Sequence, residues 1–407
     1  MRLLSNGFGL WSRSVLAASV ALWLCFTAVA QDFTPLLNGK DFTGWVFVNT
    51  TPRTWQFSPD GMLVCSGKPV GEIRTERMFQ NFELEMEWRH MVPGGNAGVF
   101  VWADDITARG VPFHRGIEVQ VLENAYGNTA SHTTHGDIFP IHGAVMKPVN
   151  GRSGGDRAFP SENRSKPSPE WNHYRIVCND GSISLAVNGK VVTQGTDASP
   201  RKGYICLESE GGVVHYRNMR IKELPDTPVR PEDVAVENRN FRSLLTGLDL
   251  SGWKSADSAN AHWSVKDWIL AFDGKVPATQ SRLTTSESFD SRGFVLDFRF
   301  VEKSESLAIW LPMTAASDAE KSEASATAID TPSGGHLMMA ASGDERLAKS
   351  LSPTGSWNRI EAVVADGQWS WTLNGVSMTL DMAAGRGPIA LEASGPIELA
   401  NMYVREK

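Results

Sequence analysis

The chain carries one pattern twice, so whatever it folds into has to be built twice over. Leu36-Leu37-Asn38-Gly39, Gly44-Trp45 and Trp55 reappear as Leu244-Leu245-Thr246-Gly247, Gly252-Trp253 and Trp263, at a constant offset of 208 residues (44 to 252, 55 to 263). Trp171-Asn172 and Asn188-Gly189 answer to Trp357-Asn358 and Asn374-Gly375. LESEG at 207–211 and Arg217-Asn218-Met219 answer to LEASG at 391–395 and Ala400-Asn401-Met402. Matched Trp, Asn and Gly positions in the same order permit a subtraction. Positions present in both copies are scaffold candidates; polar positions present only in the first are candidates for function.

A chain of 407 residues has room for two domains of ordinary size. Apolar and polar residues alternate at period two in FELEMEWR (82–89), SISLAVNGKVV (182–192), FVLDFRFVE (294–302) and WSWTLNGVSMTL (369–380). That is the period of half-buried strands. Asp180-Gly181, Asn188-Gly189, Asp366-Gly367 and Asn374-Gly375 are tight-turn pairs, because Asn, Asp and Gly tolerate positive φ. No stretch has helical periodicity over three turns. The expected fold is all-β: two tandem antiparallel β-sandwiches, residues 31–225 and 239–407. The Pro- and acid-rich LPDTPVRPEDVAVE (224–237) separates them as a linker over 226–238.

Arg2 and Arg13, the apolar Val15–Phe26 stretch and the small-x-small Ala28-Val29-Ala30 read as a secretory signal with cleavage after Ala30. The apolar stretch is short for a membrane span, so a secreted or periplasmic protein without stable membrane insertion is expected. Net charge is −7 with no long basic run, which argues against nucleic acid as a partner. Cys65, Cys178 and Cys206 sit in apolar strand-like runs and read as small buried residues rather than a disulfide framework, with one bridge left open. No GxSxG elbow, P-loop or GxGxxG after a strand occurs, which removes the usual signals for serine-nucleophile and nucleotide chemistry.

The copies differ most between Trp102 and Trp171. There the first encloses His114, His132, His135 and His142, while the second has the Ala/Ser/Thr-rich segment 314–328. Within GIEVQVLEN (116–124), alternation puts Glu118 and Gln120 on one face and Val119 and Val121 on the other. A bulge near Leu122 would add Glu123 to the polar face. Glu118, His135 and His142 are the catalytic candidates; Asn96, Gln120, Glu123 and His114 are the substrate-binding candidates. His132-x-x-His135-x-Asp137 has donor types for a divalent ion at a spacing that matches no standard zinc pattern, so a divalent metal and metal-free histidine catalysis both stay open. Arg74 and Glu208, matched by the repeat to Arg282 and Glu392, are set aside as scaffold. So are Trp45, Trp55, Trp102 and Trp171, as core volume.

The set LLNGKDFTGW (36–45), NAGVFV (96–101), GIEVQVLEN (116–124), GDIFPI (136–141), WNHYRI (171–176), VNGKVV (187–192), GYICLESEG (203–211) and YRNMRIKEL (216–224) resembles the 3-keto-disaccharide hydrolase domain. The resemblance covers residues 33–225, and more faintly 239–407. It implies a concanavalin A-like jelly-roll sandwich, export, and action on glycosides already oxidised to a ketone at sugar C3. The family's Glu-x-Gln-x-x-Asp pattern is present with Glu123 in the last place. A C3 ketone acidifies the hydrogen on C2, so a base can form an enolate, the C1–O bond can break by β-elimination, and water can add afterwards. Two competitors stand beside this reading: a carbohydrate-binding module without catalysis, and a glycosidase acting on unoxidised sugar.

Overall fold

The structure is a computed structural model that describes residues 32–129, 132–133, 135–151, 155–237, 239–255, 261–302, 306–315, 336–340, 345–378 and 382–406. Residues 1–31, which include the stretch expected to be a secretory signal, and most of 314–328 lie outside the described residues. Among the described residues the chain is almost wholly antiparallel β, arranged as two tandem jelly-roll sandwiches. No helix among the described residues is long and apolar enough to cross a membrane.

The first sandwich has a back sheet in the order Val145–Pro148, Lys190–Ser199, Ser182–Val187, Asn172–Asn179, Phe82–His90, Val214–Glu223, Leu63–Cys65, Trp55–Phe57. Its front sheet runs Trp45–Val48, Gly71–Thr75, Tyr204–Ser209, Gly98–Ala103, Gly116–Gln120, Ile138–Ile141. The second sandwich repeats the front order as Trp253–Ser255, Leu283–Thr285, Ala390–Ser394, Ser306–Trp310, His336–Ala340. The last strand of the first sandwich ends at Glu223 and the first of the second begins at Arg242.

Period two decides which face is core. Phe82, Leu84, Met86 and Trp88 point inward from one strand and meet Val99, Val101, Ile117, Val119 and Leu207 from the front sheet. The turn pairs at 180–181, 188–189, 366–367 and 374–375 all hold positive φ, the geometry that joins twisted hairpin strands. Asn188 donates to Asn172 Oδ1 and accepts from the His173 amide; Asn374, Asn358 and Arg359 repeat this bond for bond. Trp45 and Trp253 each donate from the indole nitrogen to the carbonyl nine residues back, at 3.0 Å. Trp45, Trp55 and Trp102 are core residues. Trp171 is not: it lies half-buried between the guanidinium groups of Arg89 and Arg217. Cys65, Cys178 and Cys206 are free and buried.

One strand departs from simple alternation. Along Gly293–Phe300 nearly every residue is buried, including Val295 and Asp297 on the face that period two would leave wet. That face meets the first sandwich. Val295 and Tyr403 pack with Val48 and Ile106, and the tip of the 104–113 loop lands on the same face. Gly110 donates to Asp297 Oδ2, Asn401 donates to the carbonyls of Ala108 and Val111, and Arg359 donates to that of Thr107. Gly110 has to be glycine, because a Cβ there would meet the Trp357 ring at 2.3 Å and its φ is +74°. The linker and the start of the second domain are clamped as well: the Val236 amide donates to Asp104 Oδ1 at 2.8 Å and Arg239 pairs with buried Asp105 at 2.8 Å.

Candidate active site

Alternation on the front sheet sends one set of side chains into the core and the other to the opposite face. The strand Gly116–Gln120 contributes Glu118 and Gln120 to that second face, as its pattern predicts, with Ile117 and Val119 in the core. The neighbouring strands add acids. Glu72 lies opposite Glu208 across the Gly71–Thr75 and Tyr204–Ser209 pair, and Glu210 follows just beyond. Glu118 and Glu208 converge on the space above Gly98: a Cβ there would lie 3.0 Å from Glu118 Oε1 and 2.8 Å from Glu208 Oε2. Glycine at 98 is what allows the two carboxyl groups to approach.

A polar chain runs outward from this pair. Gln120 donates to Asn96 Oδ1 at 2.9 Å, and Asn96 donates in turn to Glu210 Oε2. Asn96 and Glu210 line a cleft of about 320 Å³, walled also by Pro93, Tyr126 and Gly211. On the other side Glu118 pairs across strands with Phe139. The Arg157 guanidinium stacks 3.4 Å from the Phe139 ring centroid and pairs with Asp137 at 2.8 Å. Arg157 is therefore the cation that most eases the charge on Glu118.

Burial and mutual repulsion keep protons on these acids. Burial pushes Glu118 well above the carboxylate range, and the charge of Glu210 pushes it further. Glu208 is raised well above that range by the same two causes in the same order. Glu210, nearer the mouth, is pushed up to about 7, first by burial. Like charges this close cannot all ionise, so the cluster holds exchangeable protons near neutral pH.

The remaining candidates fall elsewhere. Glu123 does not join the polar face. Burial would raise its pKa, but amide donors from Ser168, Gly94 and Ala125 outweigh that and hold it low, so it is a backbone clamp. His135 is buried between Ser165 Oγ, 2.9 Å from Nδ1, and the Arg164 amide; burial pushes it down to about 4. His142 is exposed in the turn after Ile138–Ile141. His132 packs edge-on to Tyr126, and Asp137 is taken up by Arg157 and Thr133. His132, His135 and Asp137 are therefore not brought together as a ligand set. His114 lies fully buried on the floor, its Nδ1 bonded to Glu72.

Register also corrects the comparison of the copies. Thr75 lies opposite Trp45 and bonds Arg77 O and the Ile205 amide; Thr285 lies opposite Trp253 and bonds Glu287 O and the Ile389 amide. Thr75 thus corresponds to Thr285, and the offset has grown by two since the first tryptophans. Arg282 consequently takes the place of Glu72, not of Arg74. In the second sandwich Arg282 pairs with Glu392. In the first, Glu208 faces Glu72 instead, while Arg74 donates to the Asp105 and Thr75 carbonyls and stacks on Tyr204. Ala308, opposite Glu392, fills the place of Gly98. Glu208, expected as scaffold because its position recurs, lacks in the first sandwich the neutralising arginine that Glu392 has in the second. Glu72, Glu208, Glu210 and Arg157 join the candidate site through strand register, and the sequence pattern alone does not single them out.

Both copies match the 3-keto-α-glucoside-1,2-lyase-like domain, over residues 32–222 and 240–405. The chain belongs to that family. A 3-keto-disaccharide hydrolase of Bacteroides thetaiotaomicron is 24% identical over 237 residues, covering 48% of this chain and 79% of that protein. Among solved structures, a candidate glycosyl hydrolase of Parabacteroides distasonis is 23% identical and covers 47% of this chain and 94% of its own, with a TM-score of 0.37. The carbohydrate-binding module CBM66 of Bacillus subtilis is 13% identical over 45% of this chain and 98% of its own, with a TM-score of 0.33. As a member of the 3-keto-α-glucoside-1,2-lyase-like family, the chain is a carbohydrate-acting protein with two family domains, and its unpaired acid cluster lies in the first.

Proposed function

We propose that the first sandwich cleaves 3-keto-glycosides by elimination and hydration, and that the second sandwich has no catalytic site. One observation carries this reading: Glu118 and Glu208 converge over Gly98 in a buried acid cluster that cannot ionise fully, so that one carboxyl can lack a proton while another holds one, beside a cleft lined by Glu210 and Asn96. Elimination next to a ketone needs a base for the C2 hydrogen, an acid for the departing oxygen and a stabiliser for the enolate. Glu118, once ionised, takes the C2 proton; the electron pair becomes the C2–C3 double bond and the C3 oxygen carries the charge. Arg157 and a protonated Glu208 stand nearby to stabilise it. The enolate then collapses: the C3 carbonyl re-forms, the double bond moves to C1–C2, and the C1–O bond breaks as Glu210, at the cleft with its pKa pushed up to about 7, protonates the leaving oxygen. Addition of water across the C1–C2 double bond places a hydroxyl on C1, returns a proton to C2 and yields the free 3-keto sugar. Gln120 and Asn96 orient hydroxyl groups.

Export, with the leader ending at Ala30, suits a protein that meets glycosides outside the cytoplasm. The test is incubation of the purified chain with a 3-keto-disaccharide and with its unoxidised parent. Release of 3-keto-glucose from the former alone supports the proposal. Cleavage of both makes the protein an ordinary glycosidase, and binding without turnover makes it a lectin-like module.

A further inference from the structure

Beneath the acid cluster lies a group of donors for which the proposed elimination has no use. Glu72, His114 and Cys206 are each fully buried, and one ligand atom from each lies within 4.8 Å of the other two. His114 Nδ1 faces both a Glu72 carboxylate oxygen and Cys206 Sγ, the latter at 3.7 Å. Three strands or strand ends converge here: Gly71–Thr75 brings Glu72, Tyr204–Ser209 brings Cys206, and the base of the 104–113 loop brings His114. Phe100, Tyr204, Phe113 and Met78 close an apolar shell around them.

Two independent features say that something is missing from this pocket of polarity. Glu72 Oε1 and, directly across the strand pair, Glu208 Oε2 are buried without a hydrogen-bond partner, and such orphaned groups are costly. The second sandwich supplies the comparison. At the position of Glu72 it has Arg282, whose guanidinium neutralises Glu392, the counterpart of Glu208. The same fold thus places a fixed cation in one copy and an acid with soft neighbours in the other.

We propose that Glu72, His114 and Cys206 bind a divalent cation of the zinc class, which takes the place that the Arg282 guanidinium holds in the second sandwich. A thiolate, an imidazole and a carboxylate together select borderline ions such as Zn²⁺ or Co²⁺ over Mg²⁺ and Ca²⁺, which favour all-oxygen sets. Binding releases the Cys206 thiol proton to solvent and forms metal–sulfur, metal–nitrogen and metal–oxygen bonds. The inference concerns the same face as the proposed activity, but it stands or falls on binding and not on turnover.

The experiment uses the purified full chain, stripped by chelator and titrated with Co²⁺ and Zn²⁺. One equivalent should bind, and Co²⁺ should produce a thiolate-to-metal charge-transfer absorption. Cys206→Ala should abolish that absorption, while Cys178→Ala, at a buried thiol remote from the cluster, should keep it. Glu72→Gln should weaken Zn²⁺ binding at least roughly tenfold, the loss that even an outer-shell partner gives. If the variants fail to fold, X-ray absorption at the zinc edge of the loaded wild-type chain decides. A single sulfur scatterer with nitrogen and oxygen supports the site. No stoichiometric binding, or a shell without sulfur, overturns it.

Discussion

Single atoms decide whether the first sandwich has an acid cluster at all. Gly98 lacks the Cβ that would meet Glu208 Oε2 at 2.8 Å and Glu118 Oε1 at 3.0 Å, and the contacted atoms are ends of flexible side chains. Gly98→Ala should therefore fold normally, since Ala308 already fills that position in the second sandwich. It should nevertheless lower kcat by about 10²-fold, the effect of displacing catalytic groups by about an ångström. Circular dichroism with steady-state assays of the variant reads both outcomes. His135 is a residue of another kind. It is buried and neutral, with its pKa pushed from 6.5 down to about 4. The unfolded chain thus binds a proton that the folded chain refuses between those values. Stability should be full above pH 6.5 and fall by roughly 3 kcal/mol as pH drops to 4. Denaturant titrations over that range should show this slope in the wild-type chain and a flatter one in His135→Gln.

At the scale of elements, front-sheet strands supply chemistry and the loops hold them. Glu123 is the hinge pin of this arrangement, accepting amide hydrogens from Gly94, Ala125 and Ser168 and so joining two loops to the end of the Glu118 strand. Glu123→Ala leaves these donors without their carboxylate and should cost about 2–3 kcal/mol, measured as a lowered denaturation midpoint with m unchanged. An unchanged midpoint would show the clamp to be idle. Much of this scale was legible in the sequence. Alternation, turn pairs and the Glu118/Gln120 face are local properties with period two, and Asn96 lies close because its segment leads into the neighbouring strand. Glu72, Glu208 and Glu210 were not legible, because only strand register brings residues so distant in the chain together. The repeat misled at this point: two extra residues in the second copy shifted Arg282 from the place of Glu72 to that of Arg74. Matching Thr75 with Thr285 from their cross-strand bonds removes the error.

For the whole molecule, the second sandwich is a buttress. It receives the tip of the 104–113 loop, whose base carries His114 to the floor of the site. Arg359 is central to this contact, bridging Thr107 O and the fully buried Asp297. Arg359→Ala strands the Asp297 charge and should cost about 3–5 kcal/mol, with a fall in Tm and in turnover together. This interface also explains why Val295 and Asp297 are buried where alternation alone predicts a wet face. The proposed activity depends on Glu118 and is confined to one sandwich. The most direct measurement is turnover of a 3-keto-disaccharide by the Glu118→Gln chain, whose second sandwich is untouched. The account predicts a folded protein with kcat lowered by about 10²-fold or more. Undiminished turnover would contradict it.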